Sequence, residues 1–221
     1  SALAGLDAAA RAWDGGRGDW PTRSVAARIE AVERFTERMI AAREEVVKLL
    51  LWEIGKSLED SRKEFDRTVE YIRRTVEALK DVDRANSRFS LDGGVIAQVR
   101  RAPLGVCLSM GPFNYPLNET YTTLIPALIM GNTVVVKPPK FGALAHQPLL
   151  AAFAECFPPG VVNFIYGSGS KIIGPIMENG RVDVLAFIGS SRVANLLKRQ
   201  HPRLHRVRCI LGLDAKNPAL I

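Results

Sequence analysis

Apolar residues recur every three or four positions through the first third of the chain. Val25, Ile29, Val32, Phe35 and Met39 make one such face, and Val46, Val47 and Leu50 carry it on to about Ile54. This period predicts one long amphipathic helix. Thr22 or Ser24 can cap its start after Pro21, and Gly55 can stop it. Phe65, Val69, Ile72, Val76, Leu79 and Val82 predict a second long helix from Ser57, with Glu64, Arg67, Arg73 and Arg74 on its polar face. An Ala-rich helical stretch over 2–13 and a loop over 14–21, with Gly15, Gly16 and Gly18, precede both. Each long helix has one stripe to bury, so the pair must cover something larger.

The pattern changes after the second helix. Residues 86–94 read as a loop and 95–100 as an extended segment with one polar edge. Short apolar runs then alternate with helical periods. Strands are predicted over 106–110, 133–136, 161–165, 182–188 and 206–211, and helices over 117–130, 144–157, 172–179 and 193–200. That alternation predicts an α/β fold, with a Rossmann-type parallel sheet, flanking helices and two long helices in front. The expected division is a helical part over 1–90, an extended segment over 91–103 and an α/β domain over 104–221.

Composition adds exclusions. No apolar run approaches the ~20 residues that span a bilayer, and the first residues lack the basic-then-apolar order of a signal peptide. No membrane partner is therefore expected. Cys107, Cys156 and Cys209 are widely spaced, without the pairing of a structural zinc site, and fit a reducing, cytoplasmic setting. A net charge of +7 raises the question of nucleic acid. Most basic residues are interleaved with acidic ones, however, and the one basic run, Lys198 to Arg208, has no interleaved aromatics. It reads as a solvated face or a phosphate-attracting rim rather than a nucleic-acid groove.

The candidate chemistry falls at strand ends. Gly111-Pro112 stops the strand over 106–110, and Phe113-Asn-Tyr-Pro116 turns the chain into the next helix. An Asn on such a turn can hold its amide N–H at one point, as an oxyanion donor must; it can also simply cap the helix. Lys137, Gly167-Ser-Gly169 and Gly189-Ser190 each follow a strand, where parallel sheets bind ligands. Gly189-Ser190 also precedes a helix, whose free N–H groups suit the pyrophosphate of a dinucleotide. Gly167 to Gly174 departs from the G-x-G-x-x-G spacing and on its own reads as a Gly-rich turn.

Pro112-Phe-Asn-Tyr-Pro116, Gly131-Asn-Thr-Val-Val-Val-Lys-Pro-Pro139 and Phe187-Ile-Gly-Ser-Ser191, in that order, resemble the aldehyde dehydrogenase superfamily. Trp52-Glu-Ile-Gly-Lys56, Lys63-Glu-Phe-Asp-Arg-Thr-Val-Glu-Tyr71 and Asn118-Glu-Thr narrow the likeness to its non-phosphorylating glyceraldehyde-3-phosphate dehydrogenases. The likeness covers essentially the whole chain. It implies NADP-dependent oxidation of glyceraldehyde 3-phosphate to 3-phosphoglycerate, through a thioester on a Cys beyond Ile221, so the 221 residues alone are expected to be inactive. It also implies a homo-oligomer, dimer or tetramer, whose sheet the segment over 95–100 joins.

The resemblance assigns roles to residues of this chain. Asn114 would be the oxyanion donor. Pro112, Phe113, Lys137 and Lys140 would line the cofactor, as would Gly169, Gly189, Ser190 and Val193. Members that favour NAD often carry Glu where Lys140 stands. An ammonium there can pair with a ribose 2′-phosphate, or it is a surface lysine. Arg67 and Tyr115 would hold the substrate phosphate, to which an Arg fork is suited; Arg67 could instead form an ordinary helix-surface salt bridge with Asp66 or near Glu70. The family's Leu-Glu-Leu-Gly-Gly-Lys stands here as Leu211-Gly-Leu-Asp-Ala-Lys216, so Gly212 replaces the deacylating Glu. Asp214, two residues on in an extended strand, would face the same side and is a candidate base, or else a turn residue. Otherwise the thioester passes to an acceptor such as coenzyme A, in an acylating enzyme, or the chain is a non-catalytic dinucleotide-binding module.

Overall fold

Two apolar faces of one parallel sheet organise the protein, and the strand residues alternate between them. The structure is a computed structural model and describes residues 2–214. Five helices come first: α1 (Ala2–Trp13), α2 (Asp19–Thr22), α3 (Val25–Ala41), α4 (Arg43–Ile54) and α5 (Leu58–Asn86). Ser24, not Thr22, caps α3, its Oγ accepting from the Ala27 N–H at 3.2 Å. Gly55, at φ 74°, closes α4 in the left-handed conformation. Ser57 caps α5 through the Asp60 N–H at 3.0 Å.

The single helix expected to Ile54 is in fact two. Ala42 leaves helical geometry at φ −90° and ψ 8°, and α4 restarts behind it with Glu44 and Glu45 in its first turn, where acids favour an N-terminus. The expected loop over 14–21 holds a 3-10 turn (Asp14–Gly16) and α2. Within α2, Trp20 is fully buried and donates from Nε1 to the Leu128 carbonyl at 3.1 Å. Glu64, placed on the polar face by its period, is buried instead.

The extended segment is half of a hairpin. β1 (Ser90–Asp92) and β2 (Val95–Ala97) pair antiparallel across Gly93-Gly94, with Leu91, Val95 and Ile96 exposed. The alternating region follows as β3 (Val106–Met110), α6 (Asn118–Ile129), β4 (Thr133–Val136), α7 (Leu150–Cys156), β5 (Val162–Phe164), α8 (Gly169–Glu178), β6 (Val184–Gly189), α9 (Ser191–Gln200) and β7 (Arg208–Leu213). The helix expected over 144–157 opens as a 3-10 turn (Leu144–Leu149) containing Pro148, which has no N–H for a helical bond. α8 starts at Gly169, earlier than the apolar period indicated, because its first turn carries polar and small residues.

Strand order is β5-β4-β3-β6-β7, with every neighbouring pair parallel. Cys107, Val134, Val136, Val184 and Ala186 face the core shared with α3–α7, while Leu108, Val135, Leu185 and Phe187 face α1, α8 and α9. The chain moves outward from β3 through β4 to β5, then returns to the other side of β3 as β6. The reversal puts a crevice beyond the carboxyl ends of β3 and β6, where open α/β sheets hold their ligands.

Candidate functional site at the carboxyl ends of the strands

Residues 111–116 lead from β3 over this crevice into α6. Gly111 is pressed against Thr120 so closely that a Cβ would overlap it. Phe113, Asn114 and Tyr115 are exposed, and the Asn114 side chain makes no hydrogen bond to a described residue. Asn114 therefore does not cap α6. Glu64 does so from α5, its Oε1 accepting from the Leu117 N–H at 2.9 Å and the Asn118 N–H at 3.2 Å. The other Glu64 oxygen pairs with Lys56, whose Nζ lies 3.7 Å from the Tyr115 ring centroid. Asn114 thus offers an uncommitted amide at the crevice.

At the end of β4, Lys137 is 8% exposed and has no hydrogen bond or ion pair from its ammonium among the described residues. Burial lowers its pKa, since a charged group loses hydration there. Gly169 stands next to it: a Cβ at Gly169 would lie 3.9 Å from the Lys137 Nζ. Beside them a cavity of about 680 Å³ opens between α8 and α9. Met110, Gly169, Ile173, Val193 and Leu197 line it, with Arg192 and Arg199 at its wall. Of these, Arg192 had no motif to announce it, whereas Ser170, also a lining residue, lies in the turn over 167–174 and Arg199 in the basic run that starts at Lys198. Lys140 is not among the lining residues; it is exposed, with its Nζ 5.0 Å from the Phe141 ring centroid. Pro112 and Phe113 continue from Met110 at the end of β3 and also lie outside the lining.

The N-terminus of α9 differs from expectation. The Ser190 Oγ accepts from the Val193 N–H at 3.4 Å, but the Ser191 N–H donates to the Asp214 carboxylate at 3.0 Å, as does the Ser191 hydroxyl. Gly189 is the last residue of β6, and its carbonyl accepts from the Asp214 N–H at 3.3 Å. The helix start read as a pyrophosphate site thus holds a carboxylate of the chain itself. Asp214 is also not on an extended strand. β7 ends at Leu213 and Asp214 adopts φ 42°, so the alternation that would have set its carboxylate beside Gly212 is broken. Gly212 has room: a Cβ there would stand 3.4 Å from Ile188, an ordinary contact.

Arg67 is exposed on α5, with no hydrogen bond or ion pair among the described residues. Its neighbour Asp66 is taken by Arg43 through Nε at 2.8 Å and Nη2 at 2.7 Å, and this pairing lowers the Asp66 pKa. Arg67 and Asp66 are thus not paired in this structure. Among the described residues no group of His, Cys, Asp and Glu side chains could hold a metal ion. No described helix is long and apolar enough to cross a membrane.

Residues 3–221 match the sequence pattern of the aldehyde dehydrogenase family. The chain belongs to that family. It is 35% identical over 179 residues to NADP-dependent glyceraldehyde-3-phosphate dehydrogenase of Streptococcus equinus, covering 79% of this chain and 38% of the relative. It is 30% identical over 204 residues to N-succinylglutamate 5-semialdehyde dehydrogenase of Chromohalobacter salexigens, covering 92% of this chain and 41% of the relative. Among solved structures, NADP-dependent glyceraldehyde-3-phosphate dehydrogenase from Bacillus halodurans C-125, complexed with NADP, superposes with a TM-score of 0.85 at 29% identity, over 99% of this chain and 46% of that one. This aldehyde dehydrogenase chain thus spans less than half the length of these relatives. The parallel sheet behind a helical N-terminal part is the fold of the neighbour. The family uses a nicotinamide dinucleotide, and the residues present fit one. A buried ammonium without a partner among the described residues suits its anionic, hydroxyl-rich ribose phosphates, and the largely apolar cavity beside Gly169 suits a flat ring.

Proposed function

We propose that this chain is the cofactor-binding part of an NADP-dependent aldehyde dehydrogenase that converts glyceraldehyde 3-phosphate to 3-phosphoglycerate. The observation that supports this best is the buried Lys137, without a partner among the described residues, beside Gly169 at the carboxyl ends of β4 and β5, with the Asn114 amide on the segment that follows β3. Lys137, Gly169 and Val193 would hold the dinucleotide, with Pro112, Phe113, Gly189 and Ser190 at the adjoining strand ends. When bound, the dinucleotide supplies a hydride acceptor. The Asn114 amide would donate to the oxyanion formed when a thiolate from beyond residue 221 attacks the aldehyde carbon. The NADP and phosphate-ester assignments draw on the Streptococcus equinus relative, and equally similar relatives act on other aldehydes. The exposed hairpin β1–β2, with Phe89 and Ile96 each 72% exposed, supports assembly into a homo-oligomer. The acylating alternative keeps one observation in its favour, the missing carboxylate at Gly212.

The direct test is to incubate the full-length protein with glyceraldehyde 3-phosphate and NADP and to follow NADPH and 3-phosphoglycerate. Formation of both supports the reading; reduction of NADP only with unphosphorylated aldehydes sinks the substrate assignment. Lys140→Glu should move the NADP-to-NAD ratio of kcat/KM toward NAD by about tenfold or more, because repulsion replaces a charge-assisted contact with the 2′-phosphate. An unchanged ratio would leave Lys140 the surface lysine that its contact with Phe141 suggests. Arg67→Ala should raise KM for the phosphorylated aldehyde by about tenfold while sparing an unphosphorylated one. Equal effects on both would assign Arg67 to the scaffold.

A further inference from the structure

We propose that Glu64 is a positioning residue: from α5 it holds residues 111–118, and with them Asn114, in the geometry an oxyanion donor requires. The inference rests on the dehydrogenase reading above. The Asn114 side chain contacts no described hydrogen-bonding partner, so its placement depends on the anchors of the backbone that carries it. Three anchors are visible. Gly111 packs against Thr120 at one end. Pro116 packs against Gly142, where a Cβ would overlap it. The third is Glu64, 2% exposed, which takes the Leu117 and Asn118 N–H groups on one oxygen and the Lys56 ammonium on the other. Lys56 in turn covers the Tyr115 ring, the residue next to Asn114.

A buried carboxylate is costly unless every lone pair that matters is engaged. Here the engaged groups all belong to, or lean on, the segment that carries Asn114. A plain helix cap would need only a short polar residue just before α6. This one comes instead from another helix, paired with an ammonium that touches the crevice residue Tyr115. That linkage fixes the segment to α5, the helix that also carries Arg67. Preorganisation of a donor to within a fraction of an ångström depends on such support.

The test compares Glu64→Ala, Glu64→Gln and Asn114→Ala, singly and combined, in the full-length protein. Gln keeps an oxygen for the two N–H groups but turns an NH2 donor toward Lys56, so both the charge and the hydrogen bond to that ammonium are lost. Glu64→Ala should lower kcat by about tenfold or more with KM for NADP little changed, and Glu64→Gln should recover part of the loss. In the Asn114→Ala background, Glu64→Ala should add little, because the donor it positions is gone. Amide hydrogen exchange over 111–120 should accelerate in Glu64→Ala while β3, β4 and β6 stay protected. Additive kcat losses, unchanged exchange, or a fall in NADP binding that matches the fall in kcat would overturn the proposal. If Glu64→Ala does not fold, the Gln variant carries the same comparisons. If the wild-type protein oxidises no aldehyde, the dehydrogenase reading fails. The exchange result then decides alone: deprotection confined to 111–120 supports the anchor, and unchanged exchange removes it.

Discussion

Gly212→Glu in the full-length protein should raise steady-state turnover with water as the acyl acceptor by about 100-fold, leaving the initial hydride burst unchanged. General-base activation of water contributes roughly 10²–10⁴-fold where the base can reach it, and a glycine supplies none. The substitution is sterically open. Gly212 is exposed, its φ lies outside the left-handed region, and an added Cβ meets Ile188 at 3.4 Å. A backbone need for glycine therefore does not explain the residue. If the wild-type protein hands its thioester to coenzyme A, the same variant should release free acid without that thiol, and the dependence of turnover on coenzyme A should weaken. No change in either assay would mean that the end of β7 does not face the acyl group. Asp214→Asn separates the remaining possibility. With its carboxylate bound to the Ser191 N–H and hydroxyl, Asp214 acts as a cap on α9; Asn keeps an accepting oxygen there, so turnover should be unaffected and stability little changed, whereas Asp214→Ala should cost about 1 kcal/mol.

The sheet was legible because its strands are short apolar runs bounded by Gly and Pro, and Val106–Met110 and Thr133–Val136 form over the residues those runs mark. The parallel pairing followed from the alternation with helices. The break at Ala42 was not legible, because Val46, Val47 and Leu50 continue the apolar stripe of α3 across it without a Gly or Pro. Glu64 was misread for a related reason. Period alone sets a carboxylate on the polar face, and the partners that let it be buried, Lys56 and the start of α6, become neighbours only in three dimensions. At the site, Lys137 and Gly169 do come together, as their places after two adjacent strands implied. Asp214 failed the strand-alternation argument because one left-handed residue cancels it. Lys216 and the rest of the motif beyond Asp214 lie outside the described residues.

Acidification should destabilise the protein through His146, by about 3 kcal/mol between pH 6.5 and pH 4. His146 is fully buried, stacked on Tyr121 with ring centroids 5.9 Å apart and close to Phe164 at 5.6 Å. Neither ring nitrogen has a hydrogen-bond partner among the described residues. Burial pushes its pKa down to about 4, against a smaller opposing pull from the Pro116 carbonyl, which lies near the ring without good hydrogen-bond geometry. The folded state thus holds the imidazole neutral where the unfolded chain, near 6.5, takes up a proton. Between those values the unfolded state binds more protons, so stability falls as pH falls through the window and the loss saturates below about 4. Asp66 acts in a different range: Arg43 lowers its pKa, so its contribution persists until the pH drops through and below the ordinary carboxylate region. Urea unfolding at a series of pH values would read the slope directly. His146→Leu should abolish most of the loss between pH 6.5 and 4 while leaving the steeper fall at lower pH. A wild-type profile as flat as the variant's across that window would mean that the buried ring finds a proton-holding partner, a water being the simplest, between Tyr121 and Pro116.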